Sequence, residues 1–152
     1  MKISSVLIGC LGAVLLLNSC SVTKEADKTA KAAPDGQQDA ITGRRWKLFE
    51  LQGKPVPDSV NGKEPFLMLQ KEDNRYSASG GCNGIGGTFT LLNNGRIKFT
   101  RGMSTMMACP DMSVETGLND ILPRANNYTL AGDTLSLNQN RMAPLARFRA
   151  VK

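Results

Sequence analysis

The sequence predicts a mainly β domain with one α-helix, its antiparallel strands curled into a closed or half-closed barrel. Three observations carry that prediction. About eight short runs of alternating or β-prone residues recur at spacings near ten residues. Turn signals such as Asn93-Asn94-Gly95 separate them. A single stretch, Ser113 to Leu122, changes its apolar period from that of a strand to that of a helix.

The first strand begins at Arg44. Trp46, Leu48 and Glu50 share one face; Lys47, Phe49 and Leu51 share the other, so both faces carry apolar residues. Gly53-Lys54-Pro55 breaks it. Phe66 to Gln70 is the second strand and Lys71 to Asn74 a polar turn. Arg75 to Ser79 is the third, with Tyr76 and Ala78 on one face. Gly80 to Gly87 holds five glycines in eight positions, which argues against a regular element and for close backbone approach. Thr88 to Leu92 and Arg96 to Phe99 form a hairpin across the Asn-Asn-Gly turn, and Arg96 and Lys98 give it a wet face. In the helix, Asp111 or Ser113 can cap and Glu115 complements the N-terminal dipole. Val114, Leu118, Ile121 and Leu122 form one apolar stripe, and Pro123 stops the helix. That stripe must be buried, and the concave side of the curved sheet is the economical place. Asn127 to Leu130, Thr134 to Leu137 and Ala146 to Ala150 are the last strands, the first two joined at Ala131-Gly132-Asp133.

Residues 1–19 read as a lipoprotein signal peptide. Lys2 supplies a positive start, and Val6 to Leu17 is a run of twelve uncharged residues. A membrane-spanning helix needs about 20 apolar residues, so the run is short for that role. Leu17-Asn18-Ser19-Cys20 resembles the bacterial lipobox, which implies cleavage before Cys20 and a lipid on its sulfur. The other reading is an ordinary signal peptide with an accidental cysteine. Each buried CH₂ of an acyl chain contributes ~0.8 kcal/mol, so a doubly acylated protein stays on a membrane without crossing it. Residues 20–40 hold no apolar side chain larger than Val22 and read as a flexible tether. The folded domain is then 41–152. It holds fifteen of the nineteen Lys and Arg and nine of the thirteen acids, so the whole formal charge of +6 belongs to it.

Composition limits function. Histidine is absent, which excludes Ser-His-Asp and Cys-His catalysis and the usual zinc sites. Aromatics are only 5%, so base or sugar stacking has few candidates. Export also separates the chain from nucleic acid. With Cys10 in the signal and Cys20 in the lipobox, Cys82 and Cys109 remain. In an export compartment they form a disulfide or stand as two buried thiols. Two cysteines without histidine lack ligands for a metal site, and no cofactor motif is present. The glycine cluster meets neither phosphate-loop pattern and reads as a structural turn, with Asn83 bonding the local backbone. Met103, Met106, Met107 and Met112 are soft ligands that suit Cu(I); the plainer reading is filler for an irregular core. Ser79, Ser104 and Thr105 have no base in sight. Glu115 and Asp120 read as a helix-cap partner and a helix-surface residue. Lys47, Arg96, Lys98, Arg101, Arg141, Arg147 and Arg149 are solvated strand faces or a patch for anionic lipid or an acidic partner.

A family resemblance rests on residues in order along the chain. Trp46-x-Leu48 comes first, then Ser79-Gly80-Gly81-Cys82-Asn83-x-x-Gly86-Gly87-x-Phe89. Ser104-Thr105-Met106-Met107-Ala108-Cys109-Pro110 follows, with Glu115 heading the helix. Tyr128-x-Leu130, Gly132-x-x-Leu135-x-Leu137 and Phe148 complete it. This resembles the META domain, the family of the heat-shock protein HslJ, from about Arg44 to Val151. Met106 stands where that family often has a charged residue. The resemblance implies a strongly curved antiparallel sheet, a half-open barrel wrapped around a single helix, like the secretin-pilot lipoproteins. It also implies an envelope location, a link to stress or drug tolerance, and no catalytic residues.

The expectation is therefore a non-enzymatic, lipid-anchored envelope protein that binds a hydrophobic ligand or an envelope protein partner. The alternative is a pilot- or chaperone-like protein that docks a partner segment on its sheet edge or groove. An open apolar cavity favours the ligand; a filled core with a bare edge favours the protein segment. Ser21 after the lipidated cysteine points to the outer membrane, facing the periplasm or the surface.

Overall fold

The structure, a computed structural model, describes residues 40–152. The signal peptide, Cys20 and the tether before Ala40 lie outside the described residues. The strands are β1 (Arg45–Leu51), β2 (Lys54–Pro55), β3 (Phe66–Leu69), β4 (Arg75–Ser79), β5 (Gly84–Leu92), β6 (Arg96–Phe99) and β7 (Met103–Ser104). Helix α1 (Ser113–Ile121) and a 3₁₀ turn (Leu122–Arg124) follow, then β8 (Asn127–Ala131), β9 (Thr134–Asn138) and β10 (Ala146–Ala150).

All pairings are antiparallel, and the sheet order is β10-β9-β8-β6-β5-β4-β3-β1-β2. A further ladder joins β10 to β1, from Trp46↔Ala150 to Leu51↔Ala146. Eight strands thus run in a closed ring, with the short β2 and β7 attached outside the cycle. Closure removes the exposed edges that an open sheet must protect.

Local sequence explains most elements. β6 alternates exposed Arg96 and Lys98 with buried Ile97 and Phe99, as its period-two pattern requires. Asn94 and Gly95 carry φ of 62° and 68°, the pair of positive values that a tight hairpin demands. Trp46 and Leu48 of β1 point inward and are fully buried. A register shift between Leu48 and Glu50 is a bulge, and it turns Leu51 inward as well. That is why Leu51 does not share the outer face with Lys47 and Phe49, as plain alternation predicts. Gly53-Lys54-Pro55 does not simply end β1: Gln52 and Gly53, at φ 50° and 76°, fold β2 back onto Leu51 and Glu50.

The glycine-rich segment holds a second correction. Gly84, Gly86 and Gly87 lie within β5 and pair with Ser79, Ser77 and Tyr76 of β4. Glycine is needed at 87 because a Cβ there would come within 2.7 Å of the Tyr76 ring and 2.9 Å of Thr100 Oγ1. The aromatic side chain of β4 fills the space that the glycine leaves.

Helix α1 sends Val114, Leu118 and Ile121 into the core, and Leu122 follows in the 3₁₀ turn. Ser113, Thr116, Asn119 and Asp120 face solvent. One apolar cluster joins this stripe to Trp46, Leu67, Ile97, Leu135 and Phe148. Trp46 Nε1 donates to Ile41 O at 2.8 Å, which ties the start of the domain to the ring. Among the described residues no helix is long and apolar enough to cross a membrane.

Candidate functional site

Two glycines decide how the loop after β4 approaches the helix. A Cβ on Gly80 would lie 2.3 Å from both Cα and N of Glu115. Gly81 has φ +107°, and a Cβ there would lie 2.5 Å from the Val60 carbonyl oxygen. With no side chain at either position, Cys82 and Asn83 are delivered under the first turn of α1. Cys82 is bonded to Cys109, with Cα atoms 6.0 Å apart, so the disulfide reading holds and the free-thiol reading falls.

Asn83 is 1% exposed and Glu115 is 3% exposed. Asn83 donates its backbone N–H to Glu115 Oε2 and its Nδ2 to Glu115 Oε1 at 2.8 Å. Nδ2 also donates to Met107 O at 3.0 Å and lies 3.5 Å from Cys82 Sγ. Asn83 Oδ1 accepts from Thr105 Oγ1 and from Met107 N, each at 2.8 Å. Asn83 is therefore not a local turn residue: it clasps two segments that lie 22 to 32 positions away. Glu115 sits in the first turn of α1, where a negative charge is favoured by the dipole. Its carboxylate bonds the loop rather than the helix's own amides. Asp111 accepts from Ser113 N at 2.8 Å and from Ser113 Oγ at 2.6 Å, which holds its carboxyl below the ordinary value. No side chain caps Met112, the residue that precedes α1.

The clasp presents residues 103–109 outward. Ser104 and Met103 of β7 pair with Ile85 and Gly86 of β5, and no described strand pairs with the other side of β7. Met103, Met106 and Met107 are 82%, 99% and 52% exposed, so the core-filler reading of these residues is wrong. The disulfide and Asn83 fix the backbone of this segment, and none of its methionines belongs to the core cluster. Met106, Met107, Ala108 and Met112 line a hollow of about 450 Å³ whose floor is Asn83, Thr105 and Glu115. Ser79, Ser104 and Thr105 make bonds to Gly81 N, Thr105 O and Asn83 Oδ1, and none of the three bonds a carboxylate among the described residues. No group of three or more His, Cys, Asp or Glu among the described residues is placed to hold a metal ion.

The basic residues separate into two sets. Lys47 pairs with Asp58 at 2.8 Å and Glu64 at 3.6 Å; the Asp58 hydrogen bond is the main reason its pKa is raised. Arg147 pairs with Glu50 at 3.0 Å, and Arg149 lies 5.1 Å over the Phe49 ring. Asp120 bonds Arg124 at 2.6 Å on the helix surface. Arg96, Lys98, Arg101 and Arg141 have no carboxylate partner among the described residues.

Sequence reading brought together Cys82 and Cys109 but missed the Asn83–Glu115 clasp and β7. No spacing rule reports a bond between an asparagine and a carboxylate 32 residues apart. The position of Glu115, three and seven residues before Leu118 and Leu122 of the apolar stripe, was the available signal.

Fold and site together define a small antiparallel β-ring domain, braced by one helix and one disulfide. The chain belongs to the META domain family, whose model matches residues 39–152. No curated protein matches it. Three solved structures are similar. A protein known by NMR is 20% identical, covering 73% of this chain and 92% of its own, with TM-score 0.58. An NMR structure from Burkholderia xenovorans is 17% identical, covering 80% and 91%, with TM-score 0.61. A DUF4847-family protein of Bacteroides vulgatus is 15% identical, covering 75% and 96%, with TM-score 0.53. At such identities the likeness concerns the fold alone.

Proposed function

We propose that this protein is a non-enzymatic, lipid-anchored envelope protein whose META domain holds an extended, apolar segment of an envelope protein. The observation that carries the reading is the exposed methionine segment, 103–107, on the bare edge of β7. Large apolar side chains grouped on a surface mark interaction sites, and methionine adapts its shape to a partner. An unpaired strand edge offers backbone donors and acceptors to an incoming strand. The ring interior supports the same choice, since Trp46, Leu48, Leu67, Leu118, Leu135 and Phe148 are fully buried within it. The groove between α1 and the β1–β2 turn, lined by Leu51, Val56, Val114 and Gly117, measures only about 270 Å³. That is below the ~300–1,000 Å³ of usual ligand pockets and leaves little room for an acyl chain. Attachment at Cys20 and an envelope role in stress tolerance rest on the lipobox and on the family resemblance.

A photo-crosslinking residue at position 106, with a control at exposed Asp133, tests the docking in intact cells. The expected result is a discrete protein adduct from position 106 and none from 133. The same adducts from both positions, or an unmodified Cys20 by mass spectrometry of the envelope fraction, overturn the docking and the anchoring respectively.

A further inference from the structure

The shortest ladder of the ring joins β6 to β8. That ladder has one residue pair, Arg96↔Asn127, supported by Ile97 N to Asn126 O at 3.2 Å and Tyr128 N to Gly95 O at 2.7 Å. A hollow of about 720 Å³ opens at this seam. Asn94, Asn126, Asn127 and Asn140 line it with Arg96 and Arg141, and no acidic residue does.

The amides are held in place by each other. Asn126 Nδ2 donates to Asn140 Oδ1 at 2.7 Å, and Asn126 Oδ1 accepts from Asn140 N at 2.7 Å. Asn127 Nδ2 donates to Asn126 Oδ1 at 3.0 Å and to Asn140 O at 2.8 Å. Asn94 and Asn140, at φ 62° and 55°, fix the turns on either side. Such a wall loses little freedom when it binds. The two guanidinium groups are the contrast. Arg45, Arg124 and Arg147 each pair with a carboxylate, whereas Arg96 and Arg141 have none among the described residues. Two forked cations over one acid-free hollow fit the oxygens of a phosphate. Amides, which donate and accept, fit neighbouring hydroxyls. The hollow's size lies within the ~300–1,000 Å³ range of small-ligand sites.

We propose that the β6–β8 seam binds a phosphorylated sugar, its phosphate between Arg96 and Arg141 and its hydroxyls on the asparagine wall. This site is separate from the methionine edge and stands whether or not that edge docks a protein. The sugar phosphate can be a free solute or the headgroup of a glycolipid, and the chemistry is shared.

The test is titration calorimetry of the full chain in detergent with glucose 6-phosphate, glucose and inorganic phosphate. A parallel arm compares flotation of the Cys20→Ala chain, which carries no acyl anchor, with phosphatidylcholine vesicles that do and do not hold a phosphorylated glycolipid. Glucose 6-phosphate is expected to bind at least about tenfold more tightly than glucose or phosphate alone. Arg96→Gln and Arg141→Gln should each weaken binding by about tenfold or more, as loss of a charge-assisted hydrogen bond does. Arg101→Gln, which removes the same charge elsewhere, should leave it unchanged, and unfolding midpoints should coincide. Flotation that requires the glycolipid, with no binding of free glucose 6-phosphate, supports the site with a lipid headgroup as its source. No binding in either arm, equal affinity for inorganic phosphate, or an equal loss on Arg101→Gln overturns it.

Discussion

Replacing Asn83 by aspartate changes one group that faces Glu115 and almost no volume. In the native protein Nδ2 donates to Glu115 Oε1 at 2.8 Å inside a buried clasp. In Asn83→Asp a second carboxylate oxygen faces the first at that distance. Two buried carboxylates so close do not both stay ionised, so folding takes up one proton. Raising a proton from an ordinary carboxylate value of about 4 to pH 7 costs about 4 kcal/mol, at ~1.4 kcal/mol per pH unit. The cost at pH 5 is then about 1.4 kcal/mol, so the variant should recover roughly 2–3 kcal/mol against wild type on acidification. The sign follows from linkage: the folded variant binds more protons than the unfolded chain, so its stability falls as pH rises. Asn83→Ala is the reference. It loses the bonds to Glu115, Thr105 and Met107 and should cost roughly 3–4 kcal/mol at both pH values. Urea unfolding followed by the fluorescence of Trp46, the single and fully buried tryptophan, reads both. A deficit of Asn83→Asp that stays constant from pH 7 to pH 5 would refute the facing of Nδ2 and carboxylate.

Three further outcomes follow from the same geometry. Gly80→Ala should cost about 3 kcal/mol or more, because the new Cβ meets helix backbone, whereas Gly84→Ala meets nothing within 4 Å and should stay within about 0.5 kcal/mol by urea unfolding. Cys82→Ser with Cys109→Ser should lower stability by roughly 3–4 kcal/mol, the chain-entropy value for a separation of 27 residues; an unchanged urea midpoint with and without reductant contradicts the bridge. Asp111 is held below the ordinary aspartate value, chiefly by the Ser113 hydroxyl, so its contribution is present above that value and lost as pH falls through the lower folded one. Melting temperatures of wild type and Ser113→Ala should therefore converge in acid, and a constant gap from pH 7 to pH 2 contradicts the bond.

How much the sequence revealed depended on the range of the physics involved. β6, the Asn93-Asn94-Gly95 turn and the α1 stripe are legible because period and turn chemistry act within a few residues. The end of β1 misleads because a bulge at Leu48/Glu50 resets the alternation, and the bulge comes from pairing with β10, about 100 residues away in the chain. Gly84, Gly86 and Gly87 read as a loop because what makes them a strand is their pairing with β4, whose Tyr76 ring packs against Gly87. The methionines read as core because apolar residues are usually inside. Long-range bonds from Asn83 and the Cys82–Cys109 bridge fix the backbone of that segment, and no local pattern reports them.

The two candidate binding surfaces share one cause. The interior of the eight-stranded ring is occupied by the core cluster of Trp46, Phe148 and the α1 stripe. Recognition must then use what closure leaves over. One leftover is a strand outside the cycle, β7, with its free side and exposed Met103. The other is the shortest ladder of the cycle, β6 to β8, whose one residue pair is Arg96↔Asn127 and whose Arg96 has no carboxylate partner among the described residues. Met106 and Arg96 both lie outside the core cluster, so substitutions there should alter binding without altering the fold, whereas substitutions at Asn83 or Gly80 should alter both. That division is itself open to measurement: a binding loss in Met106→Ser accompanied by a lowered urea midpoint would show that edge and core are not separable.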